Sequence, residues 1–121
     1  MSSLHCELYG DALVATFSGA VDRKSSPQLR DVLLAAFQPA THAVCDLAHV
    51  SRISSTGYRL LLHLFHLATA KRGQVALVGP SEEIRRTLSE TGLREFFVLA
   101  DSLDEALEQV CRDSIGHAGL R

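Results

Sequence analysis

At 121 residues the chain is the size of one ordinary domain, able to bury roughly two thirds of its unfolded surface without disulfides or metals. Hydrophobic residues at 46% and charged residues at 21% exclude a disordered chain. A net charge of −2, with basic residues scattered singly, gives no global electrostatic case for nucleic acid or an anionic membrane. Cys6, Cys45 and Cys111 are an odd number without paired spacing, and they read as reduced, buried thiols of a cytoplasmic protein. The first residues lack a basic n-region and an apolar h-region, so no signal peptide is expected. Tyr58–Ala70, the longest apolar-leaning stretch, is too short to span a membrane and is interrupted by Arg59, His63 and His66.

In chain order, Leu4, Cys6 and Leu8 alternate with His5, Glu7 and Tyr9, the pattern of a half-buried strand. Gly10-Asp11 marks a turn, Ala12–Ser18 forms the second arm of a hairpin, and Gly19 is expected to end it. Ser25-Ser26-Pro27-Gln28 announces a helix with a serine cap and an early proline. Leu29, Val32, Leu33, Ala36 and Phe37 share one face of it, and Pro39 stops it. Ala43–Leu47 suits a short central strand. A second helix, from Ser54 or Ser55, buries Leu60, Leu61, Leu64, Phe65 and Ala68, and leaves Arg59, His63, His66 and Ala70 on the opposite stripe.

Gly73 is expected to close that helix, and Val75–Val78 forms the next buried strand. Pro80-Ser81 opens a third helix carrying Ile84 and Leu88, with Gly92 as its stop and Leu93 folding back on Leu88. Phe96–Leu99 reads as a last strand. Ser102-Leu103-Asp104-Glu105 is a capping box before a final helix faced by Leu103, Ala106, Leu107, Val110 and Cys111. The order β-β-α-β-α-β-α-β-α implies an α/β domain with a mixed sheet and helices packed against it. Residues 1–112 form this single domain, and 113–121 read as a flexible tail.

The chemistry concentrates at Ser54-Ser55-Thr56-Gly57, where a buried strand gives way to a helix. A helix N-terminus carries unpaired N–H groups and a partial positive charge. A hydroxyl there can cap the helix, and a phosphate placed on it would meet those donors. Local chemistry alone favours the capping reading.

Several motifs in order change that balance. Gly19-Ala20-Val21-Asp22, a capped helix, Cys45-Asp46-Leu47 and Ile53-Ser54-Ser55-Thr56-Gly57 together resemble the STAS domain of bacterial anti-sigma factor antagonists. Gly73, Leu77-Val78-Gly79-Pro80, Thr91-Gly92-Leu93 and Ser102–Leu107 extend the resemblance, which runs from about Leu4 to Val110. It implies the STAS fold and a phosphorylation-switched binding module. In that family an Asp-Ser-Ser/Thr-Gly motif starts the second helix, and a kinase that is also the anti-sigma factor phosphorylates its first serine.

The matching position is Ser55, with Thr56 and Gly57 following, while Ser54 replaces the family's aspartate. Serine keeps the cap and removes a negative charge, which makes Ser54 a minor candidate acceptor, and Thr56 is the other minor candidate. Asp22 matches an aspartate at the end of the second strand, near the phosphorylation site. The resemblance therefore implies a partner-binding set of Asp22, Ser54, Ser55, Thr56, Gly57 and Tyr58. It also implies two partners, an anti-sigma factor/serine kinase and a Ser/Thr phosphatase acting on phospho-Ser55. A STAS subunit of an ABC-type lipid transporter, on the cytoplasmic face of the membrane, is the alternative use of the same fold.

Enzyme chemistry finds little support. His63 and His66 lack a third metal ligand nearby and read as a solvated stripe. Asp46 and His49 near the serines lack the Gly-x-Ser-x-Gly turn of hydrolases. Gly79-Pro80-Ser81 lacks the lysine and glycines of a nucleotide loop, and Cys45 in a strand core reads as packing. The expectation is a cytoplasmic binding module with no catalytic residues, metal or cofactor, and no direct membrane insertion.

Overall fold

The computed structural model describes residues 2–110. Five strands, β1 (Ser3–Tyr9), β2 (Ala12–Val21), β3 (His42–Ile53), β4 (Val75–Val78) and β5 (Val98–Ala100), form one sheet in the order β1-β2-β3-β4-β5. β1 pairs antiparallel with β2, and the remaining neighbours are parallel. The mixed sheet expected from the element order is present. Its connections are α1 (Ser26–Phe37), α2 (Ser55–Ala70) and α3 (Glu82–Thr91), and residues 103–110 are helical.

Alternation along the strands separates two cores. Leu13, Ala15, Phe17, Ala43, Cys45, Leu47, Val75 and Leu77 face the side covered by α1, α2 and α3, where Leu33, Leu64 and Leu88 are fully buried. Ala12, Val14, Val44, Ala76 and Val78 face the other side, closed by Ala106 and Val110 of the last helix. That helix, weakly tied to the sheet in sequence, is thus docked by two fully buried side chains. Cys111 and the tail from 113 to 121 lie outside the described residues.

Several boundaries differ from the sequence expectation. Gly19 does not end β2: it sits at φ +82 where the pairing with β3 shifts register, a bulge that lets the strand run on to Val21. β3 is twelve residues long, because its second half pairs with that extension of β2 beyond the reach of β4. Val32 is 47% exposed although it shares the apolar spacing of α1. Phe65 is half-buried, and Leu8 on the edge strand is exposed.

The 93–96 segment winds into a 3-10 turn straight out of Gly92 at φ +78, so β5 starts only at Val98. Phe96 stays exposed and its ring lies 5.1 Å from that of Phe65. At the end of α2 the left-handed position belongs to Arg72, at φ +63. Gly73 is needed for another reason: a Cβ there would collide with the Thr41 carbonyl.

Candidate functional site

The bulge at Gly19 and the length of β3 deliver two chain ends to one place. Val21 pairs with Ile53, and the Ser54 N–H donates to the Val21 carbonyl at 2.9 Å. α2 therefore begins against the last residue of β2. Ser54 is its N-cap in extended backbone, and its Oγ accepts from the Gly57 N–H at 3.4 Å. The residue standing in for the motif's aspartate thus keeps the capping contact.

Gly57 is buried where the helix meets β2, and a Cβ would lie 2.5 Å from the Val21 carbonyl oxygen and 2.7 Å from Ile53 Cγ2. The motif glycine is a close-approach residue, with helical backbone and no positive φ. Ser55, first residue of α2, is exposed, and its hydroxyl has no hydrogen-bond partner among the described residues. Thr56 and Tyr58 are half-buried on either side. Burial pushes the Tyr58 phenol above its ordinary value, partly offset by Thr87 across the gap to α3.

Asp22 stands one residue past β2. Its Oδ1 accepts from the Lys24 and Ser25 amides at 3.0 Å each and from the Ser25 hydroxyl at 3.2 Å. Its Oδ2 lies 3.7 Å from the Arg52 guanidinium. The Ser25 amide foremost, with the Ser25 hydroxyl, the Lys24 amide and Arg52 adding to it, holds the carboxyl below the usual carboxylate range. Asp22 is thus both the organiser of the approach to α1 and a neighbour of α2's start. Ser25 occupies the α1 cap position without capping it, since its hydroxyl turns back to the Ala20 carbonyl at 3.0 Å.

Two grooves flank the first turns of α2. One, of about 450 Å³, lies between α2 and α3 and includes Ser55, Tyr58, Arg59 and Thr87. The other, of about 280 Å³, lies between α1 and α2 and includes Ser26, Arg30, Thr56, Arg59 and His63. Arg30, Arg52 and Arg59 surround the motif and escaped the sequence reading. Only the spacing of Arg59, four residues after Ser55, offered a signal, and there it counted as part of a solvated stripe.

The remaining candidates sit elsewhere or serve the fold. Asp46 Oδ1 accepts from the Ala48 amide at 3.0 Å, an Asx turn inside β3. Ser81 caps α3 by accepting from the Ile84 amide at 3.2 Å. Cys45 is fully buried and burial pushes its thiol up to about 12, the opposite of an activated nucleophile. Among the described residues no group of three or more His, Cys, Asp or Glu side chains could hold a metal ion, and no helix is long and apolar enough to cross a membrane.

Residues 4–106 match the family model described as the STAS domain. The chain belongs to the STAS domain family. An anti-sigma-B factor antagonist of Staphylococcus epidermidis is 33% identical over 78 residues, which cover 64% of this chain and 72% of that protein. The crystal structure of an anti-sigma factor antagonist from Mycobacterium paratuberculosis superposes with a TM-score of 0.81 at 26% identity, covering 91% of this chain and 94% of that chain. The Bacillus cell fate determinant SpoIIAA in its phosphorylated form shares the fold, with a TM-score of 0.72 at 23% identity, covering 89% of this chain and 99% of that one.

Proposed function

We propose that this STAS domain is an anti-sigma factor antagonist, a non-catalytic module that binds an anti-sigma factor/serine kinase and is switched by phosphorylation of Ser55. The observation that carries the reading is the position of Ser55. It is an exposed, unpartnered hydroxyl on the first turn of a helix whose start is clamped to β2 by the Ser54–Val21 bond and the close approach at Gly57. The names of its relatives support the binding role.

In the transfer step the kinase moves the γ-phosphoryl group of ATP to Ser55 Oγ. The new O–P bond forms as the bond to the β-phosphate oxygen breaks, ADP leaves, and the hydroxyl proton goes to a base of the kinase. A phosphoserine carries nearly two negative charges and is costly to desolvate in an interface. Loss of about 2–3 kcal/mol of binding free energy would be a roughly hundredfold switch. The added charge favours the helix start itself, so the fold tolerates it. A Ser/Thr phosphatase would reset the state.

Incubation with the cognate kinase and ATP, followed by phosphopeptide mapping, tests the acceptor. Phosphate is expected on Ser55, and phosphate mainly on Ser54, Thr56 or outside residues 54–56 would refute it. Calorimetry of Ser55→Ala and Ser55→Asp against the purified kinase tests the switch. The alanine variant stays binding-competent, whereas aspartate, with one charge in place of two, weakens binding partially. Equal affinities with both variants folded would reduce Ser55 to a helix-start residue, and copurification with a permease and its ATPase would move the protein to a transporter.

A further inference from the structure

The groove between the first turns of α1 and α2 is basic on a protein whose net charge is −2. Arg30 from α1, with Arg59 and His63 from α2, line it together with Ser26, Thr56 and the apolar Pro27 and Leu60. Among the described residues no carboxylate lines it. Neither Arg30 nor Arg59 has an ion pair or hydrogen bond among the described residues, in contrast to Arg52 and Arg85. Ser26 is 5% exposed and its Oγ is buried without a hydrogen-bond partner. Two guanidiniums without partners on the walls of one groove are the feature an anionic acceptor would complete.

The groove's volume of about 280 Å³ falls just under the roughly 300–1,000 Å³ of sites built for free small molecules. It suits the end of one side chain. Two guanidiniums match a carboxylate, which accepts paired N–H bonds from each.

Arg59 has a second neighbourhood. It also lines the α2–α3 groove beside Ser55, and it follows Ser55 by four residues, the spacing that makes helix side chains neighbours. One guanidinium can therefore serve either groove. We propose that the α1–α2 groove receives an acidic side chain of the protein partner, held by Arg30 and Arg59, and that a phosphate on Ser55 competes for Arg59 and so disarms the groove. This rests on the reading of Ser55 as the acceptor, and it adds a mechanism of release. Phosphorylation withdraws a binding residue as well as adding charge.

The probe is the peptide acetyl-Leu-Glu-Asp-Leu-amide, titrated into the nitrogen-15-labelled full chain, with its Gln-Asn counterpart and inorganic phosphate as separate arms. The Nε–H signals of Arg30 and Arg59 and the amides of Ser26 and Thr56 should move with the acidic peptide, which binds about tenfold or more tighter than the neutral one. Arg30→Gln or Arg59→Gln, both surface changes checked by melting, should remove that preference. Phosphoserine installed at 55 by genetic encoding should weaken peptide binding about fivefold or more in the Arg59 protein and by a clearly smaller factor in the Arg59→Gln protein.

Equal affinity for the two peptides, or tighter binding of inorganic phosphate at the same resonances, would overturn the assignment of the groove. An equal effect of phosphoserine with and without Arg59 would overturn the competition while leaving the phosphorylation switch standing. Failure of the switch itself would show separately, as a cognate kinase that does not modify Ser55.

Discussion

Replacing Gly57 by alanine tests whether α2 is seated on β2 as closely as the geometry requires. The added Cβ would lie 2.5 Å from the Val21 carbonyl oxygen, 2.7 Å from Ile53 Cγ2 and 3.0 Å from Val21 Cγ1. The first of these is backbone and cannot rotate away, so the first turn of α2 must move outward. Overpacking of this kind costs about 1–3 kcal/mol. The shift also stretches the 2.9 Å bond from the Ser54 N–H to the same Val21 carbonyl, worth about 1 kcal/mol when lost. Against this, alanine in place of glycine stabilises a helix by roughly 0.5–1 kcal/mol.

The net expectation is a destabilisation of about 1–3 kcal/mol, or a fall in Tm of roughly 4–12 °C for a domain of this size. Urea unfolding followed by circular dichroism measures it, with an unchanged m-value expected because the surface exposed on unfolding is the same. Hydrogen exchange at the Ser54 amide should accelerate in parallel. A variant as stable as the parent, with the Ser54 amide equally protected, would refute the close-approach argument.

Lys71→Met removes the Nζ that lies over the Phe37 ring, 4.5 Å from its centroid, and donates to the Phe37, Gln38 and Ala40 carbonyls at 3.2, 2.7 and 2.7 Å. With those carbonyls at the end of α1 left to water, a loss of about 1–2 kcal/mol is expected in urea unfolding. Asp22→Asn should lower stability at neutral pH. Because the Asp22 carboxyl titrates below its ordinary value in the folded protein, its contribution is present above the unfolded-state value near 3.8. It fades as pH falls through the lower folded value, so the gap between parent and variant should close in acid, as paired melts across that range will show. Cys45, with its thiol pushed up to about 12 and no exposed surface, should resist iodoacetamide at pH 8 until the protein unfolds. Peptide mapping that finds Cys45 alkylated in native protein as fast as Cys6, which is only half-buried, would contradict the packed core.

The sequence by itself determined what depends on near neighbours. Serine caps at Ser54 and Ser81, the glycine stop at Gly92 and, Phe65 apart, the apolar spacing of α2 are set within one or two turns, and each lies where the local pattern put it. The mixed sheet followed from element order, since an opening hairpin and alternating helices leave few ways to connect strands. The motif around Ser55 was likewise visible as a linear string.

What only tertiary structure decided involves residues far apart in sequence. Gly19 reads as a strand end until β3 is seen to pair past it with a shifted register, and that bulge is what carries Val21 and Asp22 to the start of α2. Gly73 reads as a helix stop, and its N–H does close α2 on the Ala68 carbonyl at 2.7 Å, but only Thr41, whose carbonyl a Cβ would strike, explains why it has no side chain. Phe96 reads as strand because aromatic runs favour sheets, but no partner strand reaches it, and the turn begun at Gly92 continues through it. Arg59 reads as one charge of a solvated stripe. Its place between two grooves exists only because α1 and α3 pack on either side of α2 against one face of the sheet, an arrangement set by burial of Leu33, Leu64 and Leu88 and not by any residue near Arg59.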